Sequence, residues 1–300
     1  IQYSTRDTCA MFEKAGWETR IAKINWDLPL WRAAKEIHEF KPDMIIFINY
    51  LRSSFMDSIP ENLLFITWIQ DTMSHLNQAK VADEWNKNAL KPHSVTGLPK
   101  KRDFLIGYTD IIESYGYLKE RMIQLPMVVN TDIFHPRELT EEQKQKYGCD
   151  ICFASNRGLP TEEMMKLEFL PPFTAKFRFD EKTCWQIHDE LWKHYRAGNT
   201  LTNYTELKNF LTVKVPAFLS CLEKNSPEDQ ELAIQRIFWI LNDVIYRHIV
   251  LEWCDELGLK INLYGKGWDQ HPRFKKYARG IIKHGEELSI VYQAAKFCLH

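Results

Sequence analysis

The sequence predicts an α/β protein made of two Rossmann-like, doubly wound lobes. Three observations lead to this prediction. Short apolar runs alternate with helical segments through the first third of the chain, a pattern typical of β-α-β units and parallel sheets. A polar connector follows at residues 136–148, and a second alternation begins after it. The 300 residues are also enough for two domains with separate cores.

The first lobe, residues 1–135, alternates helices and strands. Residues 7–17 and 31–40 carry apolar side chains at helical spacing, and Lys41-Pro42 ends the second helix. Four continuous apolar runs predict strands that are buried on both faces of a parallel sheet. These runs are PDMIIFINYL, NLLFITWIQD, DFLIGYT and RMIQLPMVV, which start at residues 42, 62, 103 and 121.

The second lobe, residues 149–300, starts with the strand CDICFASN. No strand is predicted between residues 161 and 257, so this segment is a predicted helical insertion. Its clearest helix covers residues 230–257, where the apolar residues share one face. The strand INLY, a short strand near residues 280–282, a helix at 286–295 and the strand KFCLH complete the lobe.

Composition argues against two classes of function. With 45% hydrophobic and 26% charged residues and a formal net charge of −1, the chain lacks the basic excess of a sequence-independent nucleic-acid binder. No apolar run approaches the ~18 residues of a membrane span, and the first residues lack the order of a signal peptide. Seven cysteines, an odd number and mostly within apolar segments, predict the reduced thiols of a cytosolic protein.

The ends of the sequence predict a fragment of a longer protein. The chain opens inside a helical approach and closes at KFCLH, part-way through an apolar run. Natural termini usually avoid such places, because the run would lose its partners. We therefore expect some site residues to lie outside these 300 positions.

Residues at the carboxyl ends of the strands are the candidates for function, because ligands of open parallel sheets bind there. Two such lobes also predict a cleft between them. Asp71 and His75 follow the run FITWIQ, where they could act as a base or hold a substrate hydroxyl. The alternative is that Asp71 caps the next helix and His75 is a surface residue.

Glycine-containing turns follow three strands of the second lobe. Asn156, Arg157 and Gly158 could offer backbone N–H groups and a guanidinium to a phosphate, or could form a plain turn. A second turn, at residues 265–268, and a third, at 280–285, would face the same edge. Nucleotides need a backbone approach that only glycine permits. There is no GxGxxG motif, which disfavours an NAD-dependent dehydrogenase.

Cys149 and Cys152 form a C-x-x-C pair within a predicted strand. Residues three apart on a strand point to opposite faces, so the pair is not expected to converge. No second cysteine pair or His-x-x-x-His stands nearby. The sequence therefore predicts no metal site.

Several motifs resemble those of retaining GT-B glycosyltransferases. The stretch VNTDIFHP, residues 129–136, resembles their NG-V-D-x-x-x-F-x-P element, although Thr131 stands where the family has glycine. The order INLYGKGW and then GIIKHGEELSIVYQAAKFCLH is similar to the second lobe of family 4-like enzymes. The similarity is closest to the CgeB-type (spore maturation protein-like) group, and PDMIIFINYL and NLLFITWIQDTM resemble its first-lobe strands. It covers most of the chain and is poorest at residues 161–250.

The resemblance implies a GT-B fold in which the second lobe binds a nucleotide-sugar donor. Asn156 and Arg157 would approach the diphosphate, and the turn that starts at Gly280 would lie against the base. The implied donor side comprises Asn156, Arg157, Gly158, Gly265, Lys266, Gly267, Trp268, Gly280, Ile282, Lys283 and His284. The first lobe would face the acceptor with Asp71 and His75 as catalytic residues, joined by Tyr3, Ser4, Thr5 and Arg6.

The implied activity is transfer of a sugar from a nucleotide-sugar to a hydroxyl of a protein or a surface polysaccharide. Such enzymes are retaining and need no metal or other cofactor, so Arg157, Lys266 and Lys283 would stabilise the leaving diphosphate. Two alternatives stay open. One is a non-catalytic GT-B-like module that binds a glycan or a partner through the 161–250 helices, and the other is a nucleotide-sugar epimerase of the same fold.

Overall fold

The computed structural model describes residues 3–22, 31–71, 73, 76, 78–90, 102–107, 115–125 and 129–299. The chain divides into two compact units, Ile1–Asn130 and Thr131–His300. Each unit contains a sheet whose strands all run parallel, with helices around it. The predicted α/β class with parallel sheets is therefore confirmed.

The sheet of the first unit contains four strands in the order β1-β2-β3-β4. All of its pairs are parallel, and Ile66 of β2 lies between Ile46 of β1 and Phe104 of β3. The strands are β1 (Met44–Ile48), β2 (Leu64–Trp68), β3 (Arg102–Gly107) and β4 (Met122–Gln124). The helices are α1 (Tyr3–Lys14), α2 (Trp31–Phe40) and α3 (Ala79–Leu90), with 3-10 turns at Arg52–Ser58 and Lys119–Arg121.

The strand β1 is less buried than its sequence predicts. An apolar run such as MIIFI is typical of a strand covered on both faces. In the structure every residue of β1 is half-buried, because β1 is the outer strand of this sheet in the described part of the chain. The residues of β2 alternate between half-buried and buried, since β2 has a neighbour on each side.

A buried ion pair lies at the start of β3. Arg52 and Asp103 are each 3% exposed, and the Nε of Arg52 donates to Oδ1 of Asp103 at 2.6 Å. The two terminal nitrogens of Arg52 donate to the carbonyl oxygens of Pro60 and Leu63, both at 2.6 Å. The guanidinium also lies 5.0 Å from the ring centre of Phe65. Every polar group of the pair therefore has a partner, which burial of two charges requires.

The sheet of the second unit has the order β6-β5-β7, and both pairs are parallel. Its strands are β5 (Cys149–Ala154), β6 (Ile261–Tyr264) and β7 (Ala295–Leu299). The helix α4 (Glu141–Tyr147) precedes β5 inside the predicted connector, and α12 (Glu286–Ala294) precedes β7. A capping box explains the start of α4, since Thr140 and Gln143 each accept a hydrogen bond from the backbone N–H of the other.

The segment between β5 and β6 is helical throughout, with a core of its own. Polar caps start three of its helices: Asp180, Asn203 and Ser226 each accept from a backbone N–H three residues later. The helices are α5 (Thr161–Met164), α6 (Leu170–Ala175), α7 (Glu181–Arg196), α8 (Tyr204–Lys214), α9 (Phe218–Leu222), α10 (Pro227–Arg236) and α11 (Asp243–Glu256). Two π-helical stretches, Met165–Phe169 and Ile237–Asn242, join α5 to α6 and α10 to α11.

Helices cover both faces of this sheet. On one face Leu251 and Cys254 of α11 pack on Ile151 and Leu263. On the other face α4 and α12 contribute Tyr147 and Val291, among other residues, to a separate cluster. Two faces of buried apolar side chains explain why the runs in β5 and β6 are continuous rather than alternating, whereas Lys296, Phe297 and Cys298 of β7 are exposed.

Cys149 and Cys152 lie in the same buried cluster, so the expectation that they point to opposite faces is wrong. Two successive amides, those of Asp150 and Ile151, share the carbonyl oxygen of Lys260, and this irregular pairing falls between the two cysteines. Cys298 of β7 stands directly opposite Cys152.

No group of three or more candidate metal ligands occurs among the described residues. Within that part of the chain no helix has the length and apolar character needed to cross a membrane.

Candidate functional site

The loops after β5 and β6 meet at the carboxyl edge of the second sheet. The β5 loop is residues 155–160 and the β6 loop is residues 265–268. They follow neighbouring parallel strands, so both leave the sheet at the same edge. Three hydrogen bonds join them: Gly158 N to Lys266 O (3.1 Å), Lys266 N to Asn156 Oδ1 (3.2 Å) and Trp268 Nε1 to Ser155 O (2.8 Å). Ser155 N also donates to the carbonyl oxygen of Tyr264, the last residue of β6, at 2.8 Å.

The glycines of these loops are required by contact between the loops. A Cβ on Gly158 would stand 2.4 Å from the backbone nitrogen of Trp268. A Cβ on Gly265 would stand 2.0 Å from the carbonyl oxygen of Ser155, and its φ is +125°. Gly267, with φ +91°, packs on the backbone of Gly158. Gly265 and Gly267 combine a positive φ with a close backbone approach, which only glycine permits, and Gly158 has no room for a Cβ. A ligand is therefore not needed to explain these three residues.

Trp268 belongs to the core and does not line an open binding surface. It is 1% exposed, and its ring packs edge-on against Phe153 and Phe274. Two histidines, His248 and His271, lie at ring-centre distances of 5.6 and 6.3 Å from it. Because its indole N–H is also bonded to the β5 loop, Trp268 supports both loops from beneath.

His248 and His271 are neutral members of this cluster that the sequence patterns did not single out. Burial lowers the pKa of His248, on α11, to about 3. Burial also lowers the pKa of His271 to about 4, against the opposing effect of the Glu162 charge. The Nδ1 atom of His271 accepts from the backbone N–H groups of Arg273 and Phe274. The position of His248 on the apolar face of the 230–257 segment could have predicted its burial.

The polar side chains of the two loops point away from this core. Asn156 and Lys266 are exposed, and the side chain of Arg157 is 40% exposed. The Nη1 atom of Arg157 lies 3.9 Å from Oε2 of Glu168, a long contact, and it makes no hydrogen bond although the atom itself is buried. The edge of the sheet therefore presents two cationic side chains beside an amide.

The segment before the third turn runs alongside β6. Ala278 forms a parallel bridge with Leu263, and Arg279 N donates to the carbonyl oxygen of Leu263 at 2.8 Å. Gly265 N donates to the carbonyl oxygen of Gly280 at 2.9 Å, so Gly280 joins the β6 loop. No strand forms at residues 280–282, which corrects that prediction, because Gly280 turns the chain away with φ +79°.

The remaining residues predicted for the donor side directly precede α12. Ile282 is half-buried in the cluster on the α12 face of the sheet, and Lys283 is exposed. His284 packs edge-on against Phe134, with ring centres 5.4 Å apart. Gly285 then begins α12 with φ +115°. The backbone path through Gly280 connects this segment to the β6 loop.

The stretch VNTDIFHP and the next residue, Arg137, contact α12 and the turn before it. In addition to the ring contact of Phe134, Arg137 binds this helix at two points. Its Nη1 lies 2.7 Å from Oε1 of Glu286, and its backbone N–H donates to Oε1 of Gln293 at 2.8 Å. The segment is thereby part of the second unit from Thr131 onward.

In the first unit Asp71 is hydrogen-bonded to Asn49, a residue that the sequence analysis did not identify. Asn49 follows β1, and its Nδ2 donates to Oδ2 of Asp71 at 2.7 Å. Its Oδ1 accepts from the backbone N–H groups of Gln70 and Asp71. Ser4 of α1 donates to Oε1 of Gln70 at 3.0 Å. The alternative that Asp71 caps the following helix does not hold for α3, which begins only at Ala79.

Of the other residues predicted on this side, His75 lies outside the described residues, as does the side chain of Tyr3. Arg6 is exposed on α1. Thr5 faces a cavity of about 360 Å³ that α1, α2 and β1 enclose with mostly apolar side chains, Phe12 and Phe47 among them. Of the residues predicted on this side, Ser4 is bonded to the side chain of Gln70, the residue before Asp71.

Comparisons of the chain with protein-family models, with curated proteins and with solved structures return no match.

Proposed function

We propose that this protein is a glycosyltransferase that moves a sugar from a nucleotide-sugar donor to a hydroxyl acceptor. The observation that carries the proposal is the pair of hydrogen-bonded loops at the carboxyl edge of the second sheet, which carry the exposed Asn156 and Lys266 and the half-buried Arg157. The strand order β6-β5-β7 makes the first strand of this sheet central, so the chain reverses its winding direction beside β5. Ligands of open parallel sheets bind at such a point.

The donor would bind by its diphosphate at the β5 and β6 loops. The guanidinium of Arg157 and the ammonium of Lys266 supply positive charge, and Lys283 lies further along the same backbone path. In the proposed reaction these groups stabilise the negative charge that grows on the leaving diphosphate. Backbone groups of the turn from Gly280 to Lys283 would contact the base. Charge compensation by these side chains would let the transferase work without a metal, and the proposed reaction retains the anomeric configuration.

The acceptor hydroxyl would bind at Asp71 in the first unit. Asp71 is exposed, follows β2 and has one carboxylate oxygen bonded to Asn49. Its carboxylate would accept a hydrogen bond from the acceptor hydroxyl and orient the attacking oxygen.

All seven cysteines are free thiols and five of them are buried, which supports a cytosolic location for the proposed enzyme.

A thermal-shift panel of nucleoside diphosphates and nucleotide-sugars on the longest natural form of the protein tests the donor. A ligand that binds only the folded state increases the free energy of unfolding by about 2.7 kcal/mol at a hundredfold excess over Kd. The melting temperature rises as a result. Shifts confined to one base, followed by sugar transfer from the matching donor, support the proposal. Absence of both shift and transfer with every UDP-, GDP- and dTDP-sugar would refute it. Binding without transfer would favour the non-catalytic module.

A further inference from the structure

Asn49 has a left-handed backbone conformation directly after β1. It follows β1 with φ +60°, in the left-handed region, and it is 4% exposed. A non-glycine residue in this region costs on the order of 1–2 kcal/mol, and such residues cluster at functional sites. The chain could have used glycine here at lower cost, so the asparagine side chain must contribute something that glycine cannot.

The contribution is a set of hydrogen bonds to the end of β2. Its Oδ1 accepts from Gln70 N at 2.8 Å and from Asp71 N at 3.2 Å, while its Nδ2 donates to Oδ2 of Asp71 at 2.7 Å. Its backbone N–H donates to the carbonyl oxygen of Trp68 at 2.9 Å. Aspartate lacks the donor for the third bond, and glycine lacks all of the side-chain bonds. Asparagine has the donor and the acceptor, and it tolerates the left-handed backbone.

The bonds leave Asp71 exposed but oriented. A carboxylate on a short loop would otherwise rotate freely, and the amide of Asn49 fixes one of its oxygens. The adjacent Gln70 is bonded to Ser4 of α1, so α1 and the ends of β1 and β2 converge on one point. Catalytic side chains need such support, because a displacement of about 1 Å can cost a hundredfold in rate.

We propose that Asn49 is a positioning residue, which orients the Asp71 carboxylate toward the acceptor hydroxyl. This inference rests on the proposed glycosyl transfer. Asn49 contacts no substrate in this scheme and acts only through Asp71. The scheme therefore separates Asn49 from the residues of the donor side, whose substitution should change nucleotide binding.

Steady-state kinetics of Asn49→Gly, Asp71→Asn and the double variant tests the proposal. Glycine keeps the left-handed backbone and removes the side chain. We expect Asn49→Gly to lower kcat/KM for the acceptor by about 10- to 100-fold and to leave the donor KM unchanged. In the Asp71→Asn background the same change should have little further effect. Asn49→Asp should also lose activity, since a carboxylate oxygen replaces the donor that faces Asp71.

The matched control is Asn86→Ala. Asn86 also bridges two segments of the first unit, by donating to Gly116 O and accepting from Leu118 N. It lies on α3 and its side chain is bonded to residues 116 and 118 rather than to the ends of β1 and β2, so acceptor kinetics should stay within about twofold of the parent protein. Equal losses in Asn86→Ala and Asn49→Gly, or a full Asn49→Gly effect in the Asp71→Asn background, would overturn the positioning role.

Amide hydrogen exchange tests the positioning without any assay of transfer. The backbone N–H groups of Gln70 and Asp71 should exchange at least about tenfold faster in Asn49→Gly than in the parent protein. Asn49→Asp keeps the accepting oxygen and should retain their protection. Unchanged exchange in Asn49→Gly contradicts the inference even if the protein is a transferase. Faster exchange in a protein that transfers no sugar supports the orientation of Asp71 and refutes only the proposed function.

Discussion

Gly158 and Trp268 approach so closely that a single added methyl group on Gly158 would overlap the backbone of Trp268. A Cβ on Gly158 would lie 2.4 Å from the nitrogen of Trp268 and 2.7 Å from its ring. The two residues come from loops that are far apart in sequence and follow neighbouring strands. This contact shows that the candidate donor edge is built by one loop packing on another.

The first prediction concerns this contact. Gly158→Ala should destabilise the protein by about 3 kcal/mol, because the backbone of Trp268 cannot move as a flexible side chain would. Urea denaturation measures the change. The control is Gly258→Ala, at a residue with φ +70° and open space around it, which should cost only about 1 kcal/mol for the backbone conformation. Equal costs at the two positions would mean that the loops are not in contact.

The second prediction concerns the cations of the donor edge. Arg157→Ala and Lys266→Ala should each raise the Kd of a nucleoside diphosphate about tenfold, the value of one charge-assisted hydrogen bond. Isothermal titration measures the affinity. Neither change should lower the melting temperature much, since both side chains are at least partly exposed. Lys193→Ala, at an exposed lysine on α7, serves as the control. Unchanged affinity in both variants would place the diphosphate elsewhere.

The third prediction concerns pH. The pKa of His248 is lowered by burial to about 3 in the folded protein, below the ordinary value of 6.5. The unfolded chain therefore binds the proton first, and stability falls as pH decreases below about 6.5. The loss should reach about 2 kcal/mol at pH 5 from this residue alone.

Urea denaturation from pH 8 to pH 5 checks this dependence in the parent protein and in His248→Phe. The variant should show a weaker dependence, because phenylalanine does not titrate, while His271 still contributes in the same direction. Comparison at pH 8, where the histidine is neutral in both states, separates the packing change from the titration. The same slope in both proteins would contradict the burial of a neutral His248.

The fourth prediction concerns the ion pair in the first unit. Arg52→Met should cost about 3–5 kcal/mol, because it leaves the charge of Asp103 buried without a partner. Chemical denaturation of the full chain measures the change in the free energy of unfolding. Lys87→Met removes an exposed pair with Asp83 on α3 and should cost less than about 1 kcal/mol. A small effect of Arg52→Met would imply that water reaches Asp103.

Much of the fold could be predicted from local patterns. The runs MIIFI, LFITW and INLY form strands at β1, β2 and β6, because continuous apolar residues indicate strands in covered parallel sheets. The helical segment before INLY also forms as expected. Its predicted helix at 230–257 is α10, a π-helical stretch and α11 in series. The π-helical turns could not be predicted, since they do not change the apolar face enough to leave a pattern.

The site residues show the limit of such patterns. Glycine turns after β5 and β6 pointed to a ligand, yet Gly158, Gly265 and Gly267 are explained by contact with each other's loops. Asn49 escaped notice because a single polar residue at the end of an apolar run is common. The same-face placement of Cys149 and Cys152 was missed because it depends on how β5 pairs at Lys260.

The sequence by itself determined the class of fold, the order of the helices and strands except for the strand expected at residues 280–282, and the loops that end the strands, because periodicity and turn chemistry act over neighbouring residues. Only the tertiary structure decided which strands became neighbours, and with them the contacts of Gly158 with Trp268 and of Asn49 with Asp71. Both contacts join residues that only strand pairing brings together. The physical reason is that close packing and hydrogen bonding depend on distance in space, which local sequence patterns do not encode.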